Sequence, residues 1–221
     1  MVAPGVFALG TCARGILAPR PGAHNRPAPR SWSRDGRPAT GQGRGTGIAP
    51  RRRMASTVRP EAVVVRAVDD PDGVEALVPL LLLAEPSERA LRWSLAHLSD
   101  AVYRLDVDVD GAPAGPPAAA ATIRWEGEPC EIVELAVAPE RQGRGVGRAF
   151  LDWIAAEARR RGKRAVEVGT ANASLGNLAF YQRCGFRMHH VRRDYFSYLR
   201  APRVEHGIEV RDLLVFRREV R

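Results

Sequence analysis

One stretch of the 221-residue chain constrains what the rest can become: ELAVAPERQGRGVGRAFLDWIAAEARRRG, from Glu134 to Gly162. It begins as an apolar strand and crosses a turn with glycine at the alternate positions 143, 145 and 147. It continues as a helix whose Val146, Phe150, Ile154 and Ala158 share one face. Arg159–Arg161 suit the negative end of that helix, and Gly162 suits its left-handed stop. Glycines allow positive φ and let a ligand touch the backbone. A helix start offers free N–H groups and a partial positive charge. Strand, glycine turn and helix together read as a phosphate cradle; the plainer reading is a tight turn that serves packing.

The pattern on either side places that junction in an α/β domain. AVVVRAV (62–68) is a β-branched strand, 70–73 is turn-like, and VEALVPLLLLA is apolar at helical spacing. Pro86 and Ser87 open a second helix, with Ser87 as its N-cap. AVYRLDVDVDG, AAATIRW and CEIVELAV are strands; after the long helix come the strand RAVEVGT and the helix SLGNLAFYQRC, ending at Gly185. FRMHHVRRDYF and GIEVRDLLVF read as two more strands. The order β-α-α-β-β-β-α-β-α-β-β predicts a mixed sheet covered by helices.

Residues 1–53 are rich in Gly, Pro and Arg and cannot bury enough apolar surface to offset their ordering entropy. They read as a disordered leader or a misassigned start with Met54 the true one, and also resemble an organellar transit peptide; we draw the domain boundary at 55/56. They carry ten of the 34 basic residues and one of the 25 acids. The other 24 bases and 24 acids cancel, so the net charge of +9 belongs to the leader and does not point the folded part toward nucleic acid. No apolar run approaches the ~18 residues of a membrane span. Cys12, Cys130 and Cys184 have no metal or redox spacing and suit a reducing cytosol. DVDVDG mimics the start of a calcium loop, but the twelfth position, which needs glutamate, is Pro117, so Asp106, Asp108 and Asp110 read as strand and hairpin. His189 and His190 are adjacent, face opposite sides of a strand, and have no metal spacing.

Spacing separates the phosphate turns. GxxxxGK[ST] fails because no lysine follows, and GxGxxG fails at Arg148 and at Phe150. What remains, Gln142-Gly143-Arg144-Gly145-Val146-Gly147, a QxxGxG preceded by Val137 and Pro139, resembles the pyrophosphate loop of the GNAT acetyltransferase superfamily. A second motif, NASLGNLAFYQRCGF (172–186), resembles the family's N-x-x-A-x-x-x-Y-x-x-x-G-F, with Tyr181, Gly185 and Phe186 in register. Asn172 stands two residues further from the tyrosine than the commonest form, Ser174 occupies the usual asparagine position, and Asn177 follows one turn later. The resemblance covers about residues 61–217. It implies a single domain with a mixed, mostly antiparallel sheet and helices on both faces.

The resemblance also implies a chemistry: an amine attacks the thioester of acetyl-CoA directly, with no metal. Gln142 to Arg148 would hold the pyrophosphate, with Asn172 and Asn177 assisting. Backbone N–H groups of Leu135, Ala136 and Val137 would meet the thioester carbonyl, freed by Pro139 and a bulge. Tyr181 would protonate the departing thiolate, since a phenol stays protonated at neutral pH; otherwise it packs at a helix end. Glu134, beside those donors, and Glu167, on the next strand where some members carry a catalytic glutamate, are the candidate bases; each also reads as an ordinary strand glutamate. Cys184 reads as packing. The expected partner is a small-molecule or peptide amine, in a cytoplasmic monomer or homodimer without nucleic acid or membrane. Arg192, Arg193, Arg200 and Arg211 would suit an acidic acceptor or plain solvation. Two other readings stand beside this one: an acyl-CoA-binding module without turnover, and a nucleic-acid binder suggested by total charge.

Overall fold

The β-branched run Val63–Ala67 forms strand β1, and Asp70 then opens helix α1 (Pro71–Leu81). The turn expected at 70–73 is this helix's first turn. Asp70 Oδ1 accepts the Gly73 N–H at 2.6 Å, and Pro71 occupies a position whose N–H has no helical partner in any case. The structure, a computed structural model, describes residues 63–109, 112–113, 115–199 and 201–220. The leader and the 55/56 boundary lie outside the described residues.

Ser87 caps α2 (Glu88–His97), its hydroxyl accepting the Ala90 N–H at 3.3 Å. Strand β2 (Ala101–Val109) pairs with the short β3 (Ala112–Pro113) and is followed by β4 (Ala119–Arg124) and β5 (Cys130–Val137). A 3₁₀ turn (Pro139–Arg141) leads through the glycine turn into α3 (Val146–Arg160). Then come β6 (Ala165–Ala171), α4 (Leu175–Arg183), β7 (Arg187–Arg192), the short pair β8 (Val204–Glu205) and β9 (Ile208–Glu209), and β10 (Leu213–Glu219). The start of DVDVDG, Asp106 to Val109, is the end of β2, with Asp106 buried between Arg66 (2.8 Å) and Arg104 (2.6 Å); Asp110 and Gly111 lie outside the described residues.

The main sheet runs β1-β2-β4-β5-β6-β10-β7, and every neighbouring pair is antiparallel except β5–β6. Neighbouring residues on β4 face opposite sides. Ala120 packs with Leu77, Leu81 and Leu91 of α1 and α2, whereas Ala121 packs with Phe150, Leu151 and Ile154 of α3. Helices therefore cover both faces, as the periodicities require. Tyr181 and Cys184, at the end of α4, join the α3 side.

Two further expectations change. The strand read at 207–216 is divided into β9 and β10, because Asn172 Oδ1 accepts the N–H groups of Arg211 (2.9 Å) and Asp212 (3.0 Å) in the gap. His189 and His190 do not face opposite sides. The β7–β10 register shifts between Val215 and Phe216, leaving His189 as the extra residue, and the two Nδ1 atoms lie 2.9 Å apart.

Candidate active site

The two strands flanking the junction separate where the turn begins. β5 and β6 pair only over Cys130–Ile132 and Val166–Val168. On its other edge β5 follows β4, with Val133 bulged out between the pairs Thr122–Glu134 and Ile123–Ile132. The Ala138 N–H donates to Ala118 O at 2.9 Å, and antiparallel pairing alternates, so Ala136 also turns its N–H toward β4. Leu135 and Val137 turn theirs into the gap beside β6. The Val137 carbonyl faces the same way and is taken by Gln142 Nε2 at 3.0 Å. The QxxGxG glutamine thus ties the turn to the end of the splayed strand.

A cavity of about 320 Å³ opens at this gap, between the glycine turn and the first and last turns of α4. Gly143 and Gly145 have φ of 72° and 87°, and a Cβ on either would meet nothing within 4 Å. Gly145 is the N-cap of α3 with no side-chain cap, so the helix's first N–H groups are left for a ligand. Gly147 has a different reason. A Cβ there would lie 3.0 Å from Phe180 Cζ and 3.3 Å from Val137 Cγ2, so this glycine lets α3, α4 and β5 approach. Val146 is buried in the core; Arg144 is exposed on the turn. Arg148 lines the cavity and donates to the Arg183 carbonyl at the end of α4. Arg141, Gly176, Phe180 and Arg183 also line it. Their separate positions along the chain carry no joint signal in the sequence. Cys184 lines it too, with burial pushing its thiol up.

Asn177 is buried, lines the cavity and donates to Thr170 Oγ1 at 3.1 Å. Asn172 is not brought there. Its amide bridges β6 to the 209–212 segment, donating to Glu209 O at 2.9 Å besides accepting the two N–H groups above. Tyr181 is fully buried against Phe180, Phe186 and Phe216, and its hydroxyl has no hydrogen-bond partner. Burial holds that phenol well above its usual range, and Cys184 adds to it.

Glu134 is fully buried on the α1–α2 face, accepting hydrogen bonds from Ser94 of α2 and Thr122 of β4. Burial pushes its carboxyl up to about 8; the Ser94 bond offsets part of this, and the charges of Glu85 and Glu131 add to it. Ser94 lies 40 residues away, so nothing local announces it. Glu167 sits where β5 and β6 are still paired, beside Glu131, with Arg217 and His189 each at 3.5 Å. The structure therefore does not gather it with Glu134 at the splay. Arg192 and Arg211 are engaged with Glu131 (3.9 Å) and Asp194 (2.5 Å); Arg200 is outside the described residues. Among the described residues no group of His, Cys, Asp and Glu could hold a metal, and no helix is long and apolar enough to cross a membrane.

A splayed parallel pair, a glycine turn at the gap and a helix leading away define the GNAT fold class. The Acetyltransferase (GNAT) family pattern matches residues 79–186. An IAA acetyltransferase from Bacillus cereus is 32% identical, with the match covering 72% of this chain and 99% of that one at a TM-score of 0.58. A GNAT family acetyltransferase from Elizabethkingia anophelis, solved with acetyl-CoA bound, is 26% identical, covers 71% and 97%, and also has a TM-score of 0.58. The uncharacterized N-acetyltransferase YvbK of Bacillus subtilis is 34% identical over 85 residues, 38% of this chain and 55% of that protein. The chain spans about half the length of the curated relatives it matches. The chain belongs to the GNAT acetyltransferase family.

Proposed function

We propose that the protein is an N-acetyltransferase that moves the acetyl group of acetyl-CoA to a primary amine by direct attack. The observation that carries this reading is the cavity at the β5–β6 gap. Its floor is a turn where Gly143 and Gly145 leave open space in place of a Cβ, and Val137 brings to its wall the strand edge along which the Leu135 and Val137 N–H groups turn into the gap. That fits a pyrophosphate on the turn and a thioester carbonyl against the strand. Gln142 through Arg148 take the pyrophosphate, with Gly147 acting through packing and Arg144 and Arg148 adding charge. Asn177 orders the opposite wall. Leu135 and Val137 polarise the carbonyl, and Ala136 does not, because its N–H serves β4. The partnerless Tyr181 hydroxyl fits a proton donor waiting for the sulfur.

Glu134 serves as base. An ammonium first loses a proton; the nitrogen then forms its bond to the carbonyl carbon as the carbon–sulfur bond breaks. The thiolate takes a proton from Tyr181, the amide nitrogen loses its second proton, and one proton in all passes to solvent. A binding module without turnover is the competing reading, and the full burial of Tyr181 and Glu134 favours it. Thiol release from acetyl-CoA in the presence of amines separates the two.

The cradle is tested by calorimetry on Gly145→Ala. A non-glycine residue in the left-handed region costs about 1–2 kcal/mol. The fold should survive this, while the new Cβ enters the ligand's space. Acetyl-CoA affinity should fall at least tenfold with the melting temperature lowered by only a few degrees; unchanged affinity would remove the turn from the site.

A further inference from the structure

A second cavity, about 60 Å³, shares the β6–α4 turn with the first: Ser174 lines this one, and Gly176 and Asn177 line the other. Its other walls are the α1–α2 loop, with Glu85 and Pro86, and the segment after β7, with Phe196, Leu199, Arg203 and Glu205. Two carboxylates border it, and they differ. Glu205 is offset: Arg203 lies 2.7 Å away, and the Ser174 hydroxyl donates to it at 2.8 Å. Glu85 is 8% exposed, accepts the Ser87 N–H at 2.9 Å, and among the described residues has no cation in ion-pair range. A carboxylate withdrawn from water without a counter-ion is costly, and a bound cation relieves the cost. The apolar share of the lining comes from Pro86, Phe196 and Leu199. Glu85 and Pro86 belong to the loop joining α1 to α2, and Glu134 is held by Ser94 of α2, so this cavity borders the base's side of the sheet.

We propose that this cavity recognises the acceptor as a small protonated monoamine with an alkyl or aryl arm, Glu85 pairing with its ammonium. The proposal rests on the N-acetyltransferase reading above. One uncompensated carboxylate calls for one cation. An acceptor carrying its own carboxylate beside the amine would set that anion against Glu85 and Glu205, with Arg203 already committed. The small volume takes a short arm and leaves no room for the second charge of a polyamine.

The test uses the full chain, acetyl-CoA and matched acceptors in a thiol-release assay. Butylamine and phenethylamine are compared with the same skeletons carrying an α-carboxylate, norvaline and phenylalanine, and with spermidine and a short peptide. The monoamines should lead their carboxylated counterparts at least tenfold in kcat/KM. Glu85→Gln keeps an oxygen for the Ser87 N–H and removes the charge. It should raise the monoamine KM tenfold or more and narrow the discrimination, with acetyl-CoA Kd unchanged by calorimetry. A preference for the amino acids, spermidine or the peptide overturns the proposal, whether or not the variant folds. So does an unchanged KM in Glu85→Gln, or turnover of other amines in the panel without turnover of any monoamine. Absence of thiol release with every amine would instead overturn the acetyltransferase reading beneath it.

Discussion

Tyr181 and Glu134 are both fully buried, and their burial makes opposite demands. A hydroxyl enclosed without a partner costs about 1–3 kcal/mol, so Tyr181→Phe should leave the protein as stable or more stable. If the hydroxyl protonates the thiolate, the same change should lower turnover roughly 10²-fold, about 2.7 kcal/mol, with acetyl-CoA affinity changed little. Melting, calorimetry and turnover on one variant test this together, and wild-type turnover would return Tyr181 to packing. For Glu134 the sign runs the other way from a salt-bridged acid. Its folded pKa of about 8 lies above the unfolded value near 4.5, so the native state keeps a proton that the unfolded chain has lost. Its contribution therefore reduces stability progressively as pH rises from about 4.5 to about 8, by up to ~1.4 kcal/mol per pH unit. Glu134→Gln should flatten that slope in denaturant titrations at pH 5, 6, 7 and 8. As a base, Glu134 must be ionised, so wild-type turnover should climb through pH 8 with an amine whose own pKa lies below 7. The variant should lose that limb; a variant that keeps it would show that another group takes the proton.

At the scale of elements, the glycine turn joins three of them, and its glycines divide the work. Gly143 and Gly145 serve conformation and access, whereas Gly147 serves the approach of α3 to Phe180 and Val137. Ala in place of Gly gains up to about 1 kcal/mol of helix propensity, but a methyl at 3.0–3.3 Å from two packed side chains costs about 1–3 kcal/mol. The crowding should win, so Gly147→Ala should melt lower than wild type, in contrast to a surface glycine; an equal or higher melting temperature would mean that Phe180 yields freely. The alternation of the motif was legible in the sequence. That its third glycine answers to α4 was not, because Phe180 lies on a different helix.

At the scale of the molecule, the net positive charge comes from residues 1–53, a Gly-, Pro- and Arg-rich stretch with too little apolar surface to build a core. A chain beginning at Met54 is expected to melt within a few degrees of the full chain and to bind acetyl-CoA equally well. Its retention on heparin should drop, since its 24 basic and 24 acidic residues cancel. A large fall in melting temperature would assign the leader a structural part.

What the sequence determined by itself were properties set within one turn of chain. These are the 3.6- and 2-residue periods of the elements, the caps at Ser87 and Gly185, and a strand–glycine–helix junction whose spacing fits one phosphate turn and excludes two others. Such features depend on φ/ψ preference and on side chains a few positions apart. The tertiary structure decided the rest. The β4–β5 register selects Leu135 and Val137 over Ala136. Burial, offset in part by Ser94 40 residues away, sets the proton affinity of Glu134. The 209–212 segment occupies Asn172, and the α1–α2 loop meets the residues after β7 around Glu85. Each of these depends on groups distant in the chain being brought into register and out of water, and no local pattern encodes that meeting.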